Sequence, residues 1–384
     1  MQECFVRILI SAGEASGEMY GAQLIAALRR LDPAVECFGA GGDRMRAAGC
    51  DIVVDNKDLA VVGITEILSH LPKIWGLYRR LIGDAAQRKP DVAVVIDSPA
   101  FNWRVAREMK RRGVPVVYYV CPQFWAWRQG RVRLLRRYVD KALVIFPFEE
   151  KFYRERGVDA EFVGHPLADL AKPAISRQDY AAEHGLDHAK HWIVLMPGSR
   201  RKEVQMNLPE IVESVRLLGP DYEYLLPVAP TLDREFFASL IGSNHIQLVS
   251  DALPALAHSR AGIVASGTAT VEAALMRMPF VMVYRVSPLT YFLGKSRVKV
   301  PFFAMVNLIA GEQVVPELIQ QDFTAGAIVH HLREIIADGP ARERQIAGLD
   351  RVRRLLRSGK QGQSAAERAA EVALELAGRA SNSC

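Results

Sequence analysis

The chain is short of anything that would staple it or anchor it. Its five cysteines, Cys4, Cys37, Cys50, Cys121 and Cys384, are odd in number and widely spaced, and no C-x-x-C pair occurs. That argues against a structural zinc site and a disulfide framework, and it makes a reducing cytoplasm the simplest compartment. No uninterrupted apolar run reaches the about 18 residues of a membrane span, so any membrane role is expected to be peripheral. No secretory leader is visible, because the apolar stretch Val6–Ile10 runs straight into a glycine loop, as a buried first strand does. The strict G-x-G-x-x-G fingerprint is missing, and no acidic ribose reader follows about 20 residues on, which argues against NAD.

What is present is a large apolar chain with a moderate basic excess. It has 384 residues, half of them apolar, enough for two large cores. The formal net charge of +6 and pI of about 9.1 favour anionic partners without choosing among nucleic acid, anionic lipid and phosphorylated substrates.

Two loops stand out. Ala12-Gly13-Glu14-Ala15-Ser16-Gly17 follows Val6–Ile10, and Met196-Pro197-Gly198-Ser199-Arg200 follows Trp192–Leu195 about 185 residues later. Each reads as a strand entering a small-residue loop that opens a helix, where free backbone N–H groups can hold an anion. Further compact apolar runs are expected as strands: Glu36–Phe38, Asp91–Ile96, Val114–Val120, Lys141–Ile145 and Glu161–Val163 in the first half, and Tyr224–Val228, Ile246–Leu248, Ala261–Ala265 and Phe280–Val283 in the second. Their alternation with helical stretches predicts an α/β fold of two Rossmann-like halves, each a mostly parallel sheet, facing across a cleft. The expected division is residues 1–165, residues 166–343, and C-terminal helices over 344–384 that pack back on the first domain or swap between subunits. Gly359–Gly362 marks a break within that tail.

Candidate site residues follow from position. Asp97 ends the run Val92–Ile96, where open α/β sheets bind ligands and a carboxylate can take a proton; the plain alternative is a turn cap before Pro99. Ser98, Phe101 and Asn102 would line the same pocket. Glu14 faces the expected cleft. Gly198, Ser199 and Arg200 offer amides and a permanent charge suited to phosphate or a planar base. Ser266, Gly267, Thr268 and Ala269 offer amides and hydroxyls, and Glu272 stands within reach of ribose hydroxyls.

Leu59–Ile82 carries apolar residues at three- and four-residue spacing, among them Ile64, Ile67, Leu68, Leu71 and Trp75. Such a stripe suits either a core helix or one lying in a bilayer surface, and Pro72 is expected to kink or interrupt it. Phe124–Arg133 mixes aromatic and basic residues, as single-stranded nucleic acid, a phosphorylated lipid or a solvated helix face would each allow.

Taken together and in order, these motifs resemble the lipid-A-disaccharide synthase family. The carriers are Ala12–Gly17, Lys89-Pro90-Asp91 with Ile96–Pro99, Trp125–Arg128, Phe146–Glu149, Gly164-His165-Pro166, Pro197–Arg200, Ala265–Ala269 and Val306–Gly311. The resemblance implies a GT-B glycosyltransferase with C-terminal helices that needs neither metal nor cofactor. It would join UDP-2,3-diacylglucosamine to 2,3-diacylglucosamine 1-phosphate, giving the β-1,6-linked disaccharide and UDP. It would act on the cytoplasmic face of the inner membrane, bound to an anionic surface and not to nucleic acid. By motif match Asp97 is the general base with Glu14 in reserve, and Ser16, Arg200, Met206 and Asn307 fall on positions tied to activity. The resemblance also allows a homodimer with crossed C-terminal helices. Two competing readings are another UDP-sugar enzyme of this architecture, such as a UDP-N-acetylglucosamine 2-epimerase or a peptidoglycan glycosyltransferase, and a non-enzymatic anionic-lipid-binding protein.

Overall fold

The structure, a computed structural model, describes residues 5–59, 67–169, 173–229, 232–242, 244–287, 291, 300–357 and 363–381. It divides into two compact units, residues 1–166 with 357–384, and residues 167–356.

The first unit is built on seven parallel strands in the order β3-β2-β1-β4-β5-β6-β7. These are β1 (Arg7–Ala12), β2 (Glu36–Gly41), β3 (Asp51–Asp55), β4 (Val92–Ile96), β5 (Val116–Tyr119), β6 (Lys141–Val144) and β7 (Ala160–Phe162). Between them run α1 (Ala15–Leu31), α2 (Asp43–Ala47), α3 (Asn56–Leu59), α4 (Ile67–Arg88), α5 (Pro99–Arg111), α6 (Val132–Tyr138) and α7 (Pro147–Arg154). The central strands are apolar on both faces because helices cover both, and all five residues of β4 are buried.

The second unit has six parallel strands in the order β10-β9-β8-β11-β12-β13. They are β8 (His191–Met196), β9 (Tyr222–Pro227), β10 (Ile246–Val249), β11 (Ala261–Ala265), β12 (Phe280–Tyr284) and β13 (Glu317–Ile319). Its helices are α8 (Arg177–His184), α9 (Arg201–Leu218), α10 (Arg234–Ile241), α11 (Ala252–His258), α12 (Thr268–Leu275), α13 (Met305–Ala310), α14 (Ala325–Ile336) and α15 (Pro340–Leu355). A last helix, α16 (Ala365–Ser381), returns to the first unit and packs along α1. Its buried face is small: Ala365, Ala366, Ala369, Ala370, Ala373 and Ala377, with Val372. Ion pairs Arg30–Glu367 (3.0 Å) and Arg368–Glu161 tie it down.

Several local expectations change. Strands β3 and β13 were not expected; both are short, carry acids and lie at sheet edges, where one side needs no apolar partner. Pro72 lies inside α4, which runs on to Arg88. The later part of that helix is core: Leu81, Ile82 and Ala85 are buried, with Ile74, Leu77 and Tyr78 packed against the same cluster. Trp75 is 53% exposed. Ile64 lies outside the described residues, as do the side chains of Ile67, Leu68 and Leu71 and the break at 359–362.

Candidate active site

In both sheets the strand order reverses at one place, between β1 and β4 and between β8 and β11. Open α/β sheets bind ligands beyond the carboxyl ends of the strands at such points. The four loops singled out in the sequence leave those four strands.

In the first unit, register pairs Ala12 with Ile96, so the Gly13–Glu14 and Asp97–Ser98 loops start level with each other. They touch: a Cβ on Gly13 would lie 2.5 Å from Ser98 Oγ, which is why glycine is needed there. Asp97 and Ser98 both adopt left-handed backbone, with φ of 47° and 44°. Such a conformation costs about 1–3 kcal/mol per residue unless the surroundings impose it. They do. The fully buried Asn102 amide donates to Ile96 O and Asp97 O, both at 2.9 Å, and to Ser11 O at 3.2 Å, while its Oδ1 accepts from Ser11 Oγ at 2.7 Å. Tyr118 Oη donates to Asp97 O at 2.9 Å. Asn102 is thus a brace and not a pocket lining, and Phe101 belongs to the core; both expectations are corrected.

The Asp97 carboxyl is half-buried, and burial, aided by the charge of Glu14, pushes it up to about 6. Glu14 is exposed at the N-cap of α1, and Ser16 is exposed in the first turn. Glu18, which also lies on α1, ties that helix to its neighbours, accepting from Arg44 N (2.8 Å) and Asn56 Nδ2 (2.7 Å).

The two loops of the second unit are not equivalent. After β8, Gly198 takes φ 131° and packs on Glu203, where a Cβ would lie 2.7 Å from that residue's Cβ. Glu203 accepts from Ser199 N (3.2 Å), Arg200 N (3.3 Å) and the Arg200 guanidinium (2.9 Å). The amides of Ser199 and Arg200, expected to be open, are taken up by the internal carboxylate of Glu203, in the first turn of α9. The Arg200 side chain remains exposed. After β11, Ser266 donates its hydroxyl to Phe303 O (2.8 Å) and its amide to Val283 O (3.0 Å), so it braces its neighbours instead of offering donors. Among the described residues, no acceptor meets the N–H groups of Gly267, Thr268 and Ala269 at the start of α12. That helix end is the anion-ready one. Glu272 sits one turn in, half-buried, and burial pushes it up to about 6; among the described residues its carboxylate has no hydrogen-bond partner.

Met206 is half-buried on α9. Asn307 is fully buried: Nδ2 donates to Val315 O (3.0 Å) and Glu317 Oε1 (2.8 Å), and Oδ1 accepts from Val314 N (2.8 Å) and Val315 N (2.9 Å). With its amide saturated it holds the loop that follows α13. Sequence reasoning missed Glu203 and Glu317, whose carboxylates cap α9 and the Phe303–Asn307 turn. Trp125 is buried, its indole donating to Glu149 at 2.7 Å, so of the Trp125–Arg128 motif only Trp127 offers an exposed ring, with Arg128 4.2 Å above it.

A family model described as lipid-A-disaccharide synthetase matches residues 8–373. The chain belongs to the lipid-A-disaccharide synthase family. The lipid-A-disaccharide synthase of Koribacter versatilis (strain Ellin345) is 55% identical over 379 residues, covering 97% of this chain and 99% of that one. That of Myxococcus xanthus (strain DK1622) is 44% identical over 377 residues, covering 96% and 97%. Membership in the lipid-A-disaccharide synthase family makes the chain a glycosyltransferase of lipid A disaccharide synthesis. Among solved structures, the kitacinnamycin glycotransferase aligns with TM-score 0.63 at 15% identity over 97% of this chain and 99% of that one. A Staphylococcus aureus MnaA–UDP co-structure aligns with TM-score 0.63 at 16% identity over 97% and 98%. At that identity the likeness shows the fold, which is GT-B.

Proposed function

We propose that this synthase transfers 2,3-diacylglucosamine from UDP to the 6-hydroxyl of 2,3-diacylglucosamine 1-phosphate with inversion at the anomeric carbon. The observation that carries the reading is the chemistry at the two switch points: a raised carboxyl beside a second acid in one unit, and, in the other, amides and an acid that have no partner among the described residues. Asp97 takes the proton of the acceptor hydroxyl, whose oxygen bonds to the anomeric carbon as the bond to UDP breaks. The electron pair leaves with the diphosphate. The amides of Gly267, Thr268 and Ala269 and the Arg200 guanidinium stabilise that charge, and Glu272 holds the ribose hydroxyls. The UDP in the co-structure of the similar fold supports a uridine nucleotide for this architecture.

Among the described residues no helix is long and apolar enough to cross a membrane. The substrates carry acyl chains, so the enzyme works from the cytoplasmic face of the inner membrane, docked through the start of α4, as a monomer or a homodimer. Mass spectrometry of products from UDP-2,3-diacylglucosamine and 2,3-diacylglucosamine 1-phosphate tests this. The expected result is a disaccharide 1-phosphate with release of UDP. Release of UDP with free sugar only, or a C2 epimer, would overturn the reading.

A further inference from the structure

The strand that presents Asp97, β4, has two neighbours, and the loops that leave them differ in charge. Beyond β1 the chain carries Glu14 and Glu18 and no cation before Arg29. Beyond β5, which register holds level with β4 at Ile96 and Tyr119, it carries Trp127, Arg128 and Arg131. Buried residues hold this second loop in place. Trp125 is tied to Glu149, Gln129 Nε2 donates to Trp125 O at 3.1 Å, and Phe124 stacks at 6.1 Å on Trp103 of α5, the helix that Asp97 and Ser98 open. Arg128 then takes left-handed backbone, with φ of 58°, and a single 3-10 turn over Gln129–Arg131 follows. Arg131 N donates to Arg128 O at 2.8 Å, so the two guanidiniums rise from one turn. Both residues are exposed, and among the described residues neither has an ion pair or a side-chain hydrogen bond. The Arg128 guanidinium lies 4.2 Å over the Trp127 ring, a stack that occupies its face and leaves its N–H edge open. An open N–H edge beside a second guanidinium suits a phosphate.

We infer, on the reading that the acceptor is 2,3-diacylglucosamine 1-phosphate, that Arg128 and Arg131 grip its phosphate and select for it. The reacting hydroxyl is on C6 and the phosphate on C1, and only the ring oxygen separates C1 from C5, which bears C6. With the hydroxyl at Asp97, the phosphate stands less than a sugar's length away. Adjacent strands lie about 4.8 Å apart, a spacing that one sugar ring covers. The acids beyond β1 repel a phosphate dianion, and the arginines beyond β5 attract it. Held at that end, the ring presents C6 to the base in one orientation.

Kinetics of the full chain with two acceptors test this, 2,3-diacylglucosamine with and without its 1-phosphate. R128Q/R131Q should lower the ratio of kcat/KM for the phosphorylated over the unphosphorylated acceptor by at least about 10-fold, the worth of one charged hydrogen bond. R136Q/R137Q removes the same charge from exposed positions on α6 and should leave the ratio unchanged. Equal falls in both pairs would overturn the site. So would an unchanged ratio in R128Q/R131Q, even with both activities reduced, since a loop brace or a bilayer contact would affect both acceptors alike. Quenching of tryptophan fluorescence by the phosphorylated acceptor in detergent micelles reads binding without turnover, and that binding should weaken about 10-fold in R128Q/R131Q alone. Failure of the unmodified chain to make disaccharide would count against the proposed reaction; equal affinities in the two double variants would count against the phosphate site.

Discussion

Asp97 is poised by its surroundings more than by its own chemistry. Burial and the charge of Glu14 raise its carboxyl to about 6, so the base form is lost as pH falls through that value. Turnover at saturating substrate should therefore decline below about pH 6, and Glu14→Gln should move that acid limb to lower pH by removing the second of the two causes. An unmoved limb would separate Glu14 from Asp97. Asp97→Asn should abolish most turnover while UDP binding, measured by calorimetry, stays intact. Asn102→Ala removes four hydrogen bonds from a fully buried site and should cost at least about 2 kcal/mol in denaturant unfolding. Strand-end acids such as Asp97 are legible in a sequence because the apolar run before them announces a buried strand. The partners chosen by Glu203, Glu317 and Asn307 are not, since they depend on which amides a loop turns inward, and residue type alone does not record that.

At the scale of elements, two strand-loop-helix units that look alike in sequence do different work. The loop into α9 is closed on Glu203, whereas the amides at the start of α12 meet no acceptor among the described residues. Glu272→Gln and Arg200→Ala should each weaken UDP binding in calorimetry. Glu203→Gln should tighten it, because it withdraws an internal anion that competes for the same donors; weaker binding in that variant would make Glu203 a brace for the loop. The central strands were readable because burial on both faces leaves continuous apolar runs. Strands β3 and β13 escaped because an edge strand buries little, and α4 overran its expected end because beyond Ile82 its buried stripe continues only through Ala85, set among polar residues.

At the scale of the whole molecule, the two-sheet α/β plan and the motif order could be read from the chain, but the partition of the tail could not. Helix α15 belongs with residues 167–356 and α16 with the first unit, because the alanine face of α16 fits closely against α1 while α15 packs on α12 and α13. A variant ending at Arg357 should lose the first unit's resistance to limited proteolysis and keep that of 167–356, as read by mass spectrometry of the fragments. Equal protection in both units would show that α16 adds little.

That closing contact has a consequence for biosynthesis. The second unit is one uninterrupted stretch, complete once Leu356 has been made, whereas the first begins the chain and ends it. The earliest-made segment therefore cannot reach its final packing until the latest arrives, roughly 10–40 s later at ordinary elongation rates. During that interval the groove on α1 that receives the alanine helix is uncovered, and the younger half of the protein matures before the older one.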